Sequence, residues 1–146
     1  MIVVIRIAKK ADLNKKIEET LDKLKLRAKY TCVLLPEKRE LMGMVKKVNN
    51  FIAYGNIKDD LIKRLIEERG RISGDKKIPK EKLKEIISKI EEIKSGKIKL
   101  RDFGIKEYFR LHPPIGGFKK SIKLTVPKGV LGNHKEKIND LLERMI

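Results

Sequence analysis

The chain has no tryptophan, no glutamine and a single cysteine among its 146 residues. That lone cysteine, Cys32, excludes an internal disulfide and a cysteine metal cluster. It stands in an apolar run and reads as a small buried hydrophobe. No apolar run approaches the roughly 18 residues of a membrane span. No helical stretch is basic on one face and aromatic on the other, which disfavours a membrane-surface role. MIVVIRIAKK, at the start, sets its apolar run ahead of its charges, the reverse of a secretory signal. The chain therefore reads as cytoplasmic. Negative charge is scarce as well: 20 Asp+Glu face 37 Lys+Arg, for a net charge of +17. Such an imbalance favours a polyanionic partner, nucleic acid before acidic membrane. The abundance of lysine, glutamate and isoleucine fits both heat adaptation and an A/T-rich genome.

What is present divides into regions. IVVIRI (2–7) is a short β-branched run, the pattern of a well-buried strand. Leu13, Ile17, Leu21 and Leu24 fall on one face of a helix, with Asp12 as its cap. TCVLL (31–35) reads as a second strand, stopped by Pro36. Leu41, Met44, Val45 and Val48 mark a second helix, and FIAYG (51–55) a third strand. The first region is thus strand-helix-strand-helix-strand, with both helices expected on one face of a small sheet.

From 59 to 97 the period is helical throughout. One helix ends at Gly70, and a second runs from Pro79 to Gly96 along Leu83, Ile86, Ile87, Ile90 and Ile93. KLRDFG (99–104) looks like a last helical turn capped by Gly104. SIKLTV (121–126) alternates, which predicts a strand buried on one face through Ile122, Leu124 and Val126. Asn133 followed by Glu136 has the form of a capping box, which makes 133–145 a helix with His134 as its first residue.

Lysine and arginine outnumber acids 14 to 6 over residues 1–58, 13 to 9 over 59–100 and 10 to 5 over 101–146. The helical middle is nearest balance. Unpaired charge is expected on Arg6, Lys9 and Lys10 at the first strand, Arg27 and Lys29 before the second, and Arg39, Lys46 and Lys47 on the second helix. Arg110, Lys119 and Lys120 continue the series around the stretch FRLHPPIGGFKK (109–120).

That stretch invites a chemical reading, but the residues withhold one. His112 and His134 have no Cys or His at ligand spacing, so no metal site is expected. No serine or acid is placed by motif to make a general base of His112. PPIGG lacks the spacing of a phosphate-binding P-loop and the strand-helix context of a dinucleotide fingerprint. Pro113 and Pro114 fix the backbone, while Gly116 and Gly117 let it come close to a neighbour. With Phe118 able to stack, the loop suits an RNA backbone; a structural turn is the other reading. Gly43, inside the second helix, costs about 1 kcal/mol against alanine. It implies close approach of another backbone, either RNA or the protein's own sheet.

The order of elements, MGMVKKVNNFIAYG, and LHPPIGG followed by LGNHKEKINDLLERM resemble the archaeal form of large-subunit ribosomal protein thirty, called protein seven in eukaryotic naming. The likeness spans the whole chain. It implies an α+β fold: a βαβαβ core over residues 1–58, ferredoxin-like in part, with a three-stranded antiparallel sheet ordered 3-1-2 and two helices on one face. Residues 59–146 form an extension of helices, a C-terminal strand and a helix, packed on the core as one unit. The resemblance implies a non-catalytic role without cofactor: holding large-subunit rRNA, with the small rRNA of that subunit and neighbouring ribosomal proteins as further partners. No membrane, small-molecule substrate or homo-oligomer is expected. Matching positions are Gly43, Met44 and Lys47; Leu111, His112, Pro113, Pro114, Gly116 and Gly117; and Leu131, Gly132 and His134. Lys38, Arg39 and Met42 stand where the family often has Thr-Pro and an arginine, so that arginine's phosphate contact falls to Arg39 or Lys46. Rival readings are a free RNA-binding regulator on the same fold and, remotely, a hydrolase centred on His112.

Overall fold

The computed structural model describes residues 1–9 and 13–146. The elements run β1 (Ile2–Arg6), α1 (Lys15–Lys23), β2 (Thr31–Leu35), α2 (Arg39–Lys47), β3 (Ile52–Asn56), α3 (Asp59–Arg69), α4 (Lys80–Ser88) and α5 (Ile90–Lys94). They continue with β4 (Tyr108–Arg110), β5 (Ser121–Thr125), β6 (Gly129–Lys135) and α6 (Ile138–Met145). Short 3-10 turns at Asn49–Phe51 and Leu100–Phe103 complete the set. Six strands form one sheet in the order β4-β2-β1-β3-β6-β5. The antiparallel β2-β1-β3 centre is the one the resemblance implied.

Side chains alternate across a strand, so β1 faces two layers at once, and all five of its residues are buried. Ile2 and Val4 pack with Leu21 of α1, Leu24 at its C-cap and Val45 of α2. Val3 and Ile5 pack in a cluster with Ile62, Leu65 and Ile66 of α3, Ile86 of α4, Ile93 of α5 and Leu142 of α6. The second helical layer explains why the first run is apolar at nearly every position. Each such side chain contributes about 1.5–3 kcal/mol on full burial. Cys32 lies in the same interior, and burial raises its thiol pKa.

The structure departs from the sequence reading at several places. Asp12, the expected cap of α1, lies outside the described residues; Asn14 holds the N-cap, its side chain accepting from the Lys16 amide at 3.2 Å. The single helix expected from Pro79 to Gly96 divides at Lys89 into α4 and α5. β4 was not expected at all. Its three residues are too few for alternation to register, yet they pair antiparallel with β2 (Thr31 with Arg110).

The larger difference is β6. The helix expected over 133–145 begins only at Ile138, and His134 lies in a strand. Asn133 Oδ1 accepts from the Lys135 amide at 2.8 Å, closing a local turn instead of capping a helix. The strand forms because β3 offers it an open edge, and Gly55 makes that edge accessible. A Cβ on Gly55 would stand 2.1 Å from the Lys135 carbonyl oxygen. Asn139 does the tying expected of Asn133. It accepts from the Lys58 amide and donates to the Asn56 carbonyl, both at 3.0 Å, fixing α6 to the end of β3.

The expectation that β5 buries one face is also corrected. All five residues of the strand are exposed, Leu124 at 50 % and Ile122 at 41 %. β5 is the outermost strand of the sheet, beyond the reach of both helical layers. Replacement of fully buried Leu65 by alanine should therefore cost about 2–5 kcal/mol. Leu124→Lys should stay within about 0.5 kcal/mol. Urea denaturation of the two variants checks the contrast.

Candidate nucleic-acid interface

The strand pairings bring distant basic segments to one end of the sheet. β1 ends beside the beginnings of β2 and β3, and β4 ends against the beginning of β2: Ile5 faces Cys32, Arg6 faces Ile52, and Thr31 faces Arg110. The segments at that end are the residues after β1, the approach to β2, the turn from α2 into β3, and the loop leaving β4. They carry Lys9, Arg27, Lys29, Lys46, Lys47, Arg110, His112, Lys119 and Lys120. Backbone hydrogen bonds stitch them together: Ile7 and Ala8 donate to the Phe51 carbonyl at 3.1 Å, Tyr30 to that of Arg6 at 2.8 Å, and Leu111 to that of Tyr30 at 3.0 Å.

Arg6 was expected among the surface cations, and that is corrected: it is 1 % exposed. Its position on β1 turns it toward the α1/α2 layer, where Nη1 donates to the Leu26 and Arg27 carbonyls at 2.7 and 2.8 Å, and Nε to Ala8 at 3.1 Å. Loss of solvent lowers the pKa of the guanidinium, with Asp22 and Glu18 pulling it back up. Arg6 is thus the peg on which two basic loops hang. Its Nη2 is buried without a partner among the described residues. Lys10 lies outside the described residues.

The loop after β4 is anchored as well as stiff. The His112 and Ile115 amides donate to the Met145 and Arg144 carbonyls at 3.2 and 3.0 Å, and Arg144 Nη1 returns a bond to the Gly117 carbonyl at 2.8 Å. Gly116 and Gly117 adopt φ of +80° and +75°, a left-handed conformation costing other residues roughly 1–2 kcal/mol each. The His112 ring rests its Nδ1 2.8 Å from the carbonyl oxygen of Pro113. Phe118, expected as a free platform for bases, is half-buried. It stacks on Tyr30 with centroids 6.2 Å apart, and Lys29 Nζ caps that tyrosine at 4.6 Å. Lys120 Nζ folds back to the Pro127 carbonyl at 2.8 Å.

Two expected residues fall elsewhere. Arg39 opens α2 close after the end of β2, at the opposite end of the sheet. His134 sits near the far end of β6, its Nε2 against the Val130 carbonyl. Arg39 nevertheless shares an exposed stripe with Gly43, Lys46 and Lys47, since these follow at helical spacing. Gly43 lies open: a Cβ built there meets nothing within 4 Å. Packing of α2 on the sheet therefore does not account for the glycine.

Among the described residues, Lys9, Arg27, Lys29, Arg39, Lys46, Lys47, Arg110 and Lys119 form no ion pair. The ion pairs seen join residues such as Arg64 with Glu68 at 2.9 Å, Lys89 with Glu85 at 3.5 Å and Lys25 with Glu107 at 3.0 Å. No group of three His, Cys, Asp or Glu among the described residues could hold a metal ion.

Fold and surface together define a basic α+β protein that gathers cations from several separate segments at one end of a sheet. The family described as Ribosomal protein L30p/L7e matches residues 2–52, from β1 into β3. Curated relatives extend the match over the full length. Large ribosomal subunit protein uL30 of Archaeoglobus fulgidus is 40 % identical over 152 residues, covering 99 % of each chain. Its counterpart in Methanococcus vannielii is 37 % identical over 98 % of this chain and 97 % of the relative. That of Methanosphaera stadtmanae is 36 % identical across the whole of both. The chain belongs to the uL30 family of large ribosomal subunit proteins.

Replacing Arg6 by methionine removes the peg and leaves the Leu26 and Arg27 carbonyls without it. The expected cost is about 1–3 kcal/mol, together with faster amide exchange over residues 26–30 in a folded protein. Hydrogen exchange followed by NMR checks it.

Proposed function

We infer that this chain is a structural, non-catalytic component of the large ribosomal subunit, placed on the cytoplasmic ribosome, where it binds rRNA and helps hold the folded particle. The observation that carries the reading is the gathering of unpaired cations from four separate segments at one sheet end, in a chain of the uL30 family. Lysine and arginine there neutralise phosphates, and release of condensed counterions drives binding and makes it salt-dependent. Recognition is of backbone and shape, because the major groove of an A-form helix is too narrow to read. A rigid body with several basic loops bridges RNA segments that lie apart in the rRNA sequence. The small rRNA of the subunit and neighbouring ribosomal proteins are the further partners of this reading.

The bare stripe on α2 adds a finer element. Arg39, Lys46 and Lys47 flank a glycine with open space above it, a place where an RNA backbone comes close to the helix. Such a glycine weakens the free protein for the sake of the complex.

The protein should co-migrate with large subunits through moderate salt and be released at high salt; recovery only in the ribosome-free fraction contradicts the reading. In filter binding to a large-subunit rRNA transcript, Lys29→Ala and Lys46→Ala should each lower affinity. Each should also reduce the slope of log K against log salt by about 1. Gly43→Ala should raise the stability of the free protein by about 0.5–1 kcal/mol, while Gly43→Gln weakens RNA binding.

A further inference from the structure

At the outer edge of β4 lies an open cleft of about 250 Å³, lined by Arg69, Arg71, Asp75, Lys106, Tyr108 and Arg110. Four cations face a single acid. The cleft is built from two segments fastened to each other. Residues 71–77 form a tight hairpin, closed by an Arg71–Lys77 bridge and by the Ile72 amide donating to the Lys76 carbonyl at 3.0 Å. The Lys106 amide donates to the Arg71 carbonyl at 2.9 Å, and Ile72 bridges to Ile105. The hairpin is thereby fixed to the strand that carries Tyr108 and Arg110.

The cations are themselves held. Arg71 Nη1 donates to the Glu68 and Gly70 carbonyls at 3.1 and 2.9 Å. Arg69 Nε donates to the Ile146 carbonyl oxygen at 2.9 Å. Lys106 and Arg110 both lie over the Tyr108 ring, at 5.8 and 6.0 Å from its centre. The Asp75 carboxylate pairs with Lys106. Lys106 first, then Arg110 and Arg71, hold the Asp75 pKa below the ordinary carboxylate range. An anion is therefore already favoured at this point, and the protein supplies one on an exposed side chain at the tip of a turn.

We propose that this cleft is a phosphate-binding site for the RNA backbone, occupied in the free protein by the Asp75 carboxylate, which a phosphodiester displaces. The site rests on the RNA-binding reading above and extends it. Arg110 belongs both to the cleft and to the basic sheet end, so one backbone can run from Lys29 and Arg110 around the edge of β4 to Lys106 and Arg71. Lys106 belongs, with Arg110, to the basic stretch expected over 104–134, whereas Arg69 and Arg71 lie outside every basic cluster expected from the sequence. A phosphate group reaches such a site either within RNA or as a free anion, and the test separates the two.

Large-subunit rRNA transcript is titrated against the full chain and its variants by filter binding at several salt concentrations. Asp75→Asn removes the competing carboxylate and keeps a residue that tolerates the left-handed φ of +58° at this position. It should bind about two- to five-fold more tightly than the wild type. Glu81→Gln on α4, a charge-matched control outside the cleft, should gain less. Arg71→Ala and Lys106→Gln should bind more weakly, each with a salt slope smaller by about 1. Equal gains for Asp75→Asn and Glu81→Gln, or wild-type affinity and slope in both cleft variants, overturn the proposal. Wild-type RNA binding in those variants overturns it even where inorganic phosphate shifts the Arg71 side-chain NMR signal, because the cleft is then a site for a small anion only. If Lys29→Ala and Lys46→Ala also bind normally, it is the underlying RNA-binding reading that fails.

Discussion

Burial of β1 on both faces is the constraint from which the rest of the molecule follows. A central strand with apolar side chains above and below needs two covering layers. Residues before β3 supply only one, α1 with α2. The other is supplied by α3 to α6, so the extension completes the core instead of decorating it. The same strand sets the sheet's polarity. Because β2 and β3 run antiparallel to it, its end and their beginnings coincide, and the segments entering and leaving them are forced into proximity.

Those segments carry many of the basic residues, so a fold constraint gathers cations on one surface. Like charges brought together repel, and backbone bonding among the described residues holds these segments in place. Arg6 gathers three carbonyls under the loops, the Phe51 carbonyl takes two amides, and α6 clamps the loop at 112–117. Among the described residues, the helices of the extension carry ion pairs such as Arg64 with Glu68 and Lys89 with Glu85. In the proposed function, the charge at the sheet end serves a polyanion outside the molecule. A surface held in place before binding loses little conformational freedom on binding.

Much of this is legible in the sequence, and the illegible parts have definite causes. The first five elements carry clear periods and stop signals, so they and the family resemblance read directly. β6 does not, because Gly129, Gly132 and Asn133 weaken a strand pattern; it exists through pairing with β3, a tertiary fact that overrides local preference. Asn133 with Glu136 imitates a cap, whereas Asn139 does the fastening. Arg6 looks like any basic residue beside a strand end. Only the alternation of β1, with Arg6 on the face of Ile2 and Val4, hints that it points inward. Gly43 is the opposite case: its oddity is visible in the sequence, and the structure removes one of its two explanations. The cleft at β4 has no local signature, since its cations come from the end of α3, a hairpin, a turn and a strand that meet only in three dimensions.

The central claim is that RNA meets the molecule at the end of the sheet where β1 finishes. Protein–RNA crosslinking of intact large subunits, mapped by mass spectrometry, tests it most directly. Crosslinks should concentrate at Lys9, Arg27 to Tyr30, Lys46, Lys47 and residues 110–120, and should spare the ion-paired faces of α3 to α5. Crosslinks confined to those helices, with the sheet end silent, would contradict the account.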